Sequence, residues 1–510
     1  MHVILALGLA IGLVVYLAGQ VLLHGTQDQR EPQMLESRIP FLDGLIGIFK
    51  HRANHLATLR GQYNVSIHTL RMPFQRLYVV HTPYLIQLIQ SKANASKFIP
   101  NLLDFGMLFS GLKPESQTVL RESFQLHGNA FTMSVHKYLL SGSTLKVVSR
   151  NAIRILSAGL TNCFEGHEST MMLDSVRHEL TRALTGAMYG PKNLYDDPVI
   201  ERSWCDFVPG ITHLLYCRWP QITARKALQA RDRVILAFQE YFEAGGHLQA
   251  FPMIAEMFES NMRSGLSSTE AAKMEIATSL AMLSSGANTT FWLLYHIYSD
   301  PIALNTVREE LLAQSIEDLE SGLTQRNILS LDTIKERCPT LMAMLNETLR
   351  FHSTVTNIKQ VQQDTTLADQ YLLKKDAIIM IPGQSIHHNK DIWGGSADVF
   401  EHRRFLASES KKKLCSTSAF RPFGAGVTMC PGRHFSTNVI TSLVAMIVLQ
   451  YDIMPTSGVW IAPTKRNADM WNAMPKPDRD IEVKFRRRSQ EKPAEWSFIW
   501  SDAQDAPPIS

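Results

Sequence analysis

The chain of 510 residues is poor in cysteine, and no two of its six cysteines stand in a Cys-x-x-Cys spacing. Cys163, Cys205, Cys217, Cys338, Cys415 and Cys430 are scattered, which argues against a disulfide framework and against a zinc site. A reducing compartment is the simpler expectation. There is no strong excess of one charge either: the formal net charge is +4, too mild to imply a nucleic-acid partner. No internal repeat or low-complexity linker divides the chain, so one large domain is expected although the length alone would allow three. With 45% hydrophobic and 19% charged residues, the composition is ordinary for a globular protein.

In one place charge is missing altogether. Val3 to Leu23 carry no Asp, Glu, Lys or Arg, and only Gln20 is strongly polar. At about 1.5 Å rise per residue, such a run matches a hydrocarbon core of ~30 Å. A cleaved signal peptide is the competing reading, with Ala18-Gly19 as its cleavage site. The apolar run is too long for that, and no Lys or Arg precedes it. Positive charge follows instead (Arg30, Arg38, Lys50, Arg52), which favours a cytosolic domain behind a retained single span. The expected division is an anchor over 1–24, a tether over 25–40 carrying Pro32 and Pro40, and a catalytic domain over 41–510.

Helical periodicity runs through 150–190, 225–262, 268–299, 301–313 and 332–351. Strand-like pieces are short: 65–70, 77–81, 377–381 and 481–485. The pattern predicts an α-rich domain with small peripheral sheets.

The most informative stretch is Phe420-Arg421-Pro422-Phe423-Gly424-Ala425-Gly426-Val427-Thr428-Met429-Cys430-Pro431-Gly432-Arg433. Gly424 and Gly426 let the main chain approach a flat ligand closely, and Pro422 and Pro431 stiffen the loop. A helix is expected just past Gly432, from the periodic Phe435, Val439, Ile440, Leu443, Val444, Ile447 and Val448. A thiolate before a helix N-terminus gains from the dipole and from free N–H groups, so a lowered pKa is expected for Cys430. The plain alternative is a buried free cysteine beside a β-bulge.

This loop resembles the haem loop of the cytochrome P450 family, Phe-x-x-Gly-x-(Arg/His)-x-Cys-x-Gly, through Phe423, Gly426, Cys430 and Gly432. The resemblance implies haem b (heme) with Cys430 as axial thiolate. Thr428 departs from it: a neutral side chain cannot pair with a haem propionate, so another cation must help. Two further segments resemble the family in the right order. Glu347-Thr348-Leu349-Arg350 places opposite charges at i and i+3 of a helix, and Phe400-Glu401-His402-Arg403-Arg404-Phe405 follows, with His402 where the family has proline. The resemblance implies a buried triad of Glu347, Arg350 and Arg404. Lys359 stands where the family usually has a propionate-binding arginine; its ammonium can hold a carboxylate but not as a fork. A surface lysine is the alternative.

The stretch 268–299 corresponds to the family's distal helix, whose acid and alcohol deliver protons beside the haem. By eye, Gly286-Ala287-Asn288-Thr289-Thr290 looks like that motif, with Asn288 replacing the acid. Aligned without gaps from Phe291-Trp292 to Asp300-Pro301, the two positions fall on Ser284 and Ser285. A gap inside a helix would rotate every following side chain, so this register is physically preferable, and Ser285 is favoured over Thr289. Neither register holds a carboxylate, which leaves hydroxyls, the Asn288 amide and water to carry protons. Val355, Thr356, Phe105, Phe109, Met470 and Trp471 are pocket candidates.

What the resemblance implies is a monooxygenase of the microsomal type, with similarity to the sterol 7α-hydroxylase and prostacyclin synthase branch. It would be anchored in the endoplasmic reticulum and fed with NADPH electrons by a cytochrome P450 reductase, with cytochrome b5 as a further donor. Its substrate would be an apolar small molecule, in the style of fungal members that tailor terpenoids, steroids or other secondary metabolites. The alternatives are an isomerase or dehydratase that acts on a peroxide without external electrons, and a non-enzymatic haem sensor.

Overall fold

A computed structural model of the chain describes residues 2–499 apart from 36, 101, 129, 165–167, 218, 319–325, 407–418, 427–428 and 489–494. Helices dominate, and four of them make the centre: Ser143–Phe164, Met172–Tyr189, Gly286–Tyr298 and Arg433–Gln450. Their facing sides are mostly apolar, with the Asn438 amide donating to the Ser149 hydroxyl at 3.1 Å between two of them. Val148, Leu156, Val176, Ala183, Phe291, Leu294, Leu443, Val444 and Ile447 are all buried in one cluster. Gly286–Tyr298 is buried on nearly every side, with only His296 partly exposed.

The helices start where local chemistry expects them to. Asp300 caps Pro301–Ala313, its carboxylate accepting from the N–H groups of Ile302 and Ala303 at 3.1 Å each. Pro301 and Pro339 occupy first turns, where a missing N–H costs nothing. Before Pro339–His352 the Glu310 carboxylate accepts from Thr340 N–H at 3.0 and 3.1 Å.

A five-stranded sheet lies to one side, in the order Ile67–Met72, Gln75–Val80, Ile378–Pro382, Thr356–Val361 and Phe98–Pro100. The first two form a hairpin with Leu70 opposite Leu77. Ile379 pairs in parallel with Tyr78 and antiparallel with Lys359. The strand Glu482–Arg487 pairs with Tyr451–Pro455 in a second small sheet. All four strand segments read from the sequence are therefore strands, within two residues at their ends.

Several segments differ from expectation: 150–190 is divided between Ser143–Phe164 and Met172–Tyr189, 225–262 between Arg225–Glu243 and Pro252–Arg263, and 332–351 between Leu331–Arg337 and Pro339–His352. The stretch 268–299 is three helices, Ser268–Lys273, Glu275–Leu283 and Gly286–Tyr298. The second break falls at Ser284-Ser285-Gly286, a Ser/Gly run of the kind at which helices kink. There the Ser284 carbonyl accepts from the Asn288 side-chain amide (3.2 Å) and from that of Asn472 (3.5 Å). Side chains take the place of a helical N–H, so periodicity alone did not show the break.

The expected tether is docked in part. Thr69 N–H donates to the Gln33 carbonyl (2.9 Å), the Thr69 hydroxyl to the Pro32 carbonyl (2.6 Å), and Tyr78 to the Glu31 carboxylate (2.7 Å). Ahead of it, His2–Gly25 is one helix, with most of its described apolar side chains outward and Leu23 buried; within it Leu7–Gly25 is long and apolar enough to cross a membrane.

Candidate active site

The helix Arg433–Gln450 begins three residues past Cys430, as the sequence predicts. Ahead of it the loop turns sharply at Gly424 (φ +77°) and Gly426 (φ +62°), values that disfavour any residue with a Cβ. The turn is closed by Cys430 N–H donating to the Phe423 carbonyl at 2.7 Å, and Arg433 Nη1 donates to the Cys430 carbonyl at 3.1 Å. Cys430 and Phe423 face a cavity of about 630 Å³, within the ~300–1,000 Å³ usual for small-molecule sites. Gly426 is not part of its wall. Thr428 lies outside the described residues.

The expectation for the thiol is corrected in one respect. Burial pushes the Cys430 thiol up, and the N–H groups of Gly432 and Arg433 together with the Arg433 charge only partly oppose it. Desolvation outweighs the helix N-terminus here. A bound metal ion reverses that balance, because it deprotonates a coordinating thiol.

Behind the loop, Glu347, Arg350 and Arg404 meet as expected. Arg350 donates from Nε and Nη2 to the two Glu347 oxygens at 2.7 Å each, a bidentate fork with both side chains fully buried. Arg404 Nε donates to the same carboxylate at 3.1 Å, and Glu401 N–H at 2.8 Å. The remaining guanidinium N–H groups of Arg350 reach the carbonyls of His387, Ala397 and Val399. The network thus pins the segment 387–404 to the helix Pro339–His352.

Across the cavity from the loop stands the broken helix. Ser285 and Thr289 both line the cavity. The Thr289 hydroxyl donates to the Ser285 carbonyl at 2.8 Å, so its proton is committed to the backbone. The Ser285 hydroxyl has only long contacts, 3.4 Å to Asn472 Oδ1 and 3.4 Å to Ser284 Oγ. Asn288 does not line the cavity; its amide donates to the carbonyls of Met474 (2.8 Å) and Ser284 (3.2 Å) and ties the break to the segment 472–474. No carboxylate lines the cavity among the described residues.

Of the pocket candidates, Val355, Thr356, Met470 and Trp471 line the cavity, whereas Phe109 is buried in the core and the Phe105 side chain lies outside the described residues. Most of the remaining wall was not legible: Phe131, Val135, Leu180, Leu184, Met188 and Met253 come from segments without motifs. Asn472 and Arg421 were missed as well. Arg421 is fully buried, and its Nε and Nη1 have no partner. Lys359 is only 2% exposed, which removes the surface reading; its Nζ donates to the Phe98 carbonyl at 3.2 Å.

The site therefore offers a cysteine sulfur at one wall of an apolar cavity and buried cations without carboxylate partners beside it. Those features fit a flat, metal-bearing group with anionic substituents. Comparison with known proteins agrees. The Cytochrome P450 family model matches residues 248–483. The Cytochrome P450 monooxygenase nodJ of Hypoxylon pulicicidum is 27% identical over 520 residues, covering 98% of each chain.

By sequence the chain is similar to the cytochrome P450 family.

A Cytochrome P450 monooxygenase of Gibberella zeae is 26% identical over 97% of this chain and 96% of its own. The Cholesterol 7-alpha-monooxygenase of Cricetulus griseus is 27% identical over 242 residues, 45% of this chain and 48% of that one. The P450 fold carries haem with a cysteine ligand to its iron, so this protein is a haem-thiolate enzyme of the monooxygenase type. A redox partner and a small-molecule substrate are what that family implies.

Proposed function

We propose that this P450 oxidises an apolar terpenoid, steroid or other secondary metabolite, inserting one atom of dioxygen with electrons from NADPH. Cys430 would hold the haem iron through its sulfur, with Phe423 and Gly426 shaping its loop, and Glu347, Arg350 and Arg404 hold the segment behind it. The bound haem supplies the oxygen chemistry. The chain supplies the thiolate, the exclusion of water by an apolar wall, and a proton at Ser285 Oγ. Ser285 serves better than Thr289 because its hydroxyl is only weakly held by Asn472, whereas the Thr289 proton is committed to a carbonyl. Asn472 aims Ser285, and Asn288 holds the break in place.

The observation that carries this reading is one apolar cavity lined by both Cys430 and the Ser285 hydroxyl. The helix His2–Gly25 anchors the enzyme in the endoplasmic reticulum with the catalytic domain in the cytosol. NADPH-cytochrome P450 reductase, with cytochrome b5 as a second donor, is its electron source there. Similarity to named fungal monooxygenases along nearly the whole chain supports the monooxygenase reading, and the substrate class rests on the apolar cavity and on analogy.

The test is turnover with labelled dioxygen, NADPH and a reductase. One labelled atom should enter the product. Ser285→Ala should slow product formation and raise the share of electrons lost as hydrogen peroxide, with Thr289→Ala the milder variant. A cavity without a carboxylate also suits the second reading, an isomerase or dehydratase acting on a peroxide. Fast turnover of a peroxide without reductase, indifferent to both substitutions, would establish that reading instead.

A further inference from the structure

The loop that carries Cys430 also buries a charge without a counterion. Arg421 is fixed at both ends of the residue: its N–H donates to His387 Nε2 at 3.0 Å, and its Nη2 donates to Asn357 Oδ1. Nε and Nη1 have no partner among the described residues. Two residues beyond Asn357, on the same face of the strand Thr356–Val361, stands Lys359, whose ammonium has three donors and a single carbonyl to receive them. Among the described residues no carboxylate pairs with either cation.

Burial pushes the Arg421 guanidinium down to about 10 and the Lys359 ammonium down too, the latter further lowered by Arg421 beside it. Two cations held together and dehydrated are costly unless an anion joins them. Neither cation lines the cavity itself, but their chain neighbours do. Thr356, Asn357 and Ile358 on the strand, and Pro422 and Phe423 on the loop, all line the cavity that Cys430 faces.

We propose that Arg421, together with Lys359, binds the carboxylates of the haem, supplying the charge that Thr428 cannot. This assignment rests on the haem reading above. The guanidinium fork suits a carboxylate, and its two unpartnered groups are the donors such a contact requires. The other source of the same chemistry is a substrate carboxylate, and the experiment separates the two.

Purified full-length holoprotein is mixed with excess apomyoglobin, and haem transfer is followed by absorbance. Arg421→Met should release haem on the order of ten- to a hundredfold faster, as expected for loss of a charge-assisted contact. Thr428→Arg introduced into that variant should slow release again, a rescue that a merely structural role for Arg421 would not allow. Reconstitution with haem dimethyl ester covers the case in which Arg421→Met folds poorly. In that case the wild-type protein should lose the diester on the order of ten- to a hundredfold faster than haem, and Arg421→Lys should release haem at an intermediate rate. Release from Arg421→Met at the wild-type rate would overturn the proposal, as would equal retention of haem and diester by the wild type. So would weakened substrate binding with unchanged haem release, which would assign the cations to a substrate carboxylate. Failure of the wild-type protein to bind haem at all would instead overturn the haem reading itself.

Discussion

Replacing Glu347 by Gln removes one negative charge from a wholly buried network while changing almost no volume. In the wild-type protein a single carboxylate faces two guanidinium groups and accepts four hydrogen bonds, from Arg350 Nε and Nη2, Arg404 Nε and Glu401 N–H. The amide of Gln keeps one acceptor oxygen and turns a donor toward a donor. Arg350, with no exposed surface, is left as an uncompensated buried cation. Removing one partner of such a pair costs about 3–5 kcal/mol, a large share of a domain stability of about 5–15 kcal/mol. The control is Glu259→Gln, which breaks a 3.5 Å pair with Arg263 in which both side chains are more than half exposed. That change should cost no more than about 1 kcal/mol. Denaturant unfolding of the two full-length variants, followed by tryptophan fluorescence, gives the comparison. If Glu347→Gln lies within about 0.5 kcal/mol of the control, a triad that fixes the segment behind the haem loop is refuted.

Glu275 is fully enclosed; burial raises its carboxyl to about 7, partly opposed by hydrogen bonds from Tyr189 and Thr278. A folded pKa above the unfolded value near 4.5 means full stability below that value and loss as pH rises through about 7, of order 3 kcal/mol in total. Glu275→Gln should therefore unfold at a higher temperature than wild type at pH 8 and nearly with it at pH 4.5; equal shifts at both pH values would contradict the assignment. Deleting residues 1–24 should release the protein from microsomes with haem still bound, whereas retention on the membrane would place the anchor elsewhere. With a cytosolic domain, the sequons at Asn64 and Asn94 should stay unmodified, and endoglycosidase-sensitive mass on either would reverse the topology.

Much of this was legible in the sequence for a reason of range. The haem loop and the Glu347–Arg350 pair rest on residues near one another in the chain, so spacing alone shows what they can do. Arg404 was legible too, but only through order along the chain and resemblance. The cavity wall was not. Leu180, Met253 and Phe131 are ordinary apolar residues on periodic helices, and only tertiary packing decides which of them faces the cavity. The break at Ser284-Ser285 was hidden because Asn288 and Asn472, one of them nearly two hundred residues away, satisfy the freed carbonyl. Arg421 was passed over for a similar reason. Inside a Gly/Pro-rich loop its charge reads as exposed, and only its complete burial against Asn357 shows otherwise.

The central claim is that Cys430 supplies the thiolate of a haem centre, and the most direct measurement is the carbon-monoxide difference spectrum of the reduced protein. Wild type should show the thiolate-ligated signature. Cys430→Ser should lose it even where haem is retained, because an alcohol is a far weaker donor to iron than a thiolate. An unchanged spectrum in Cys430→Ser would contradict the account.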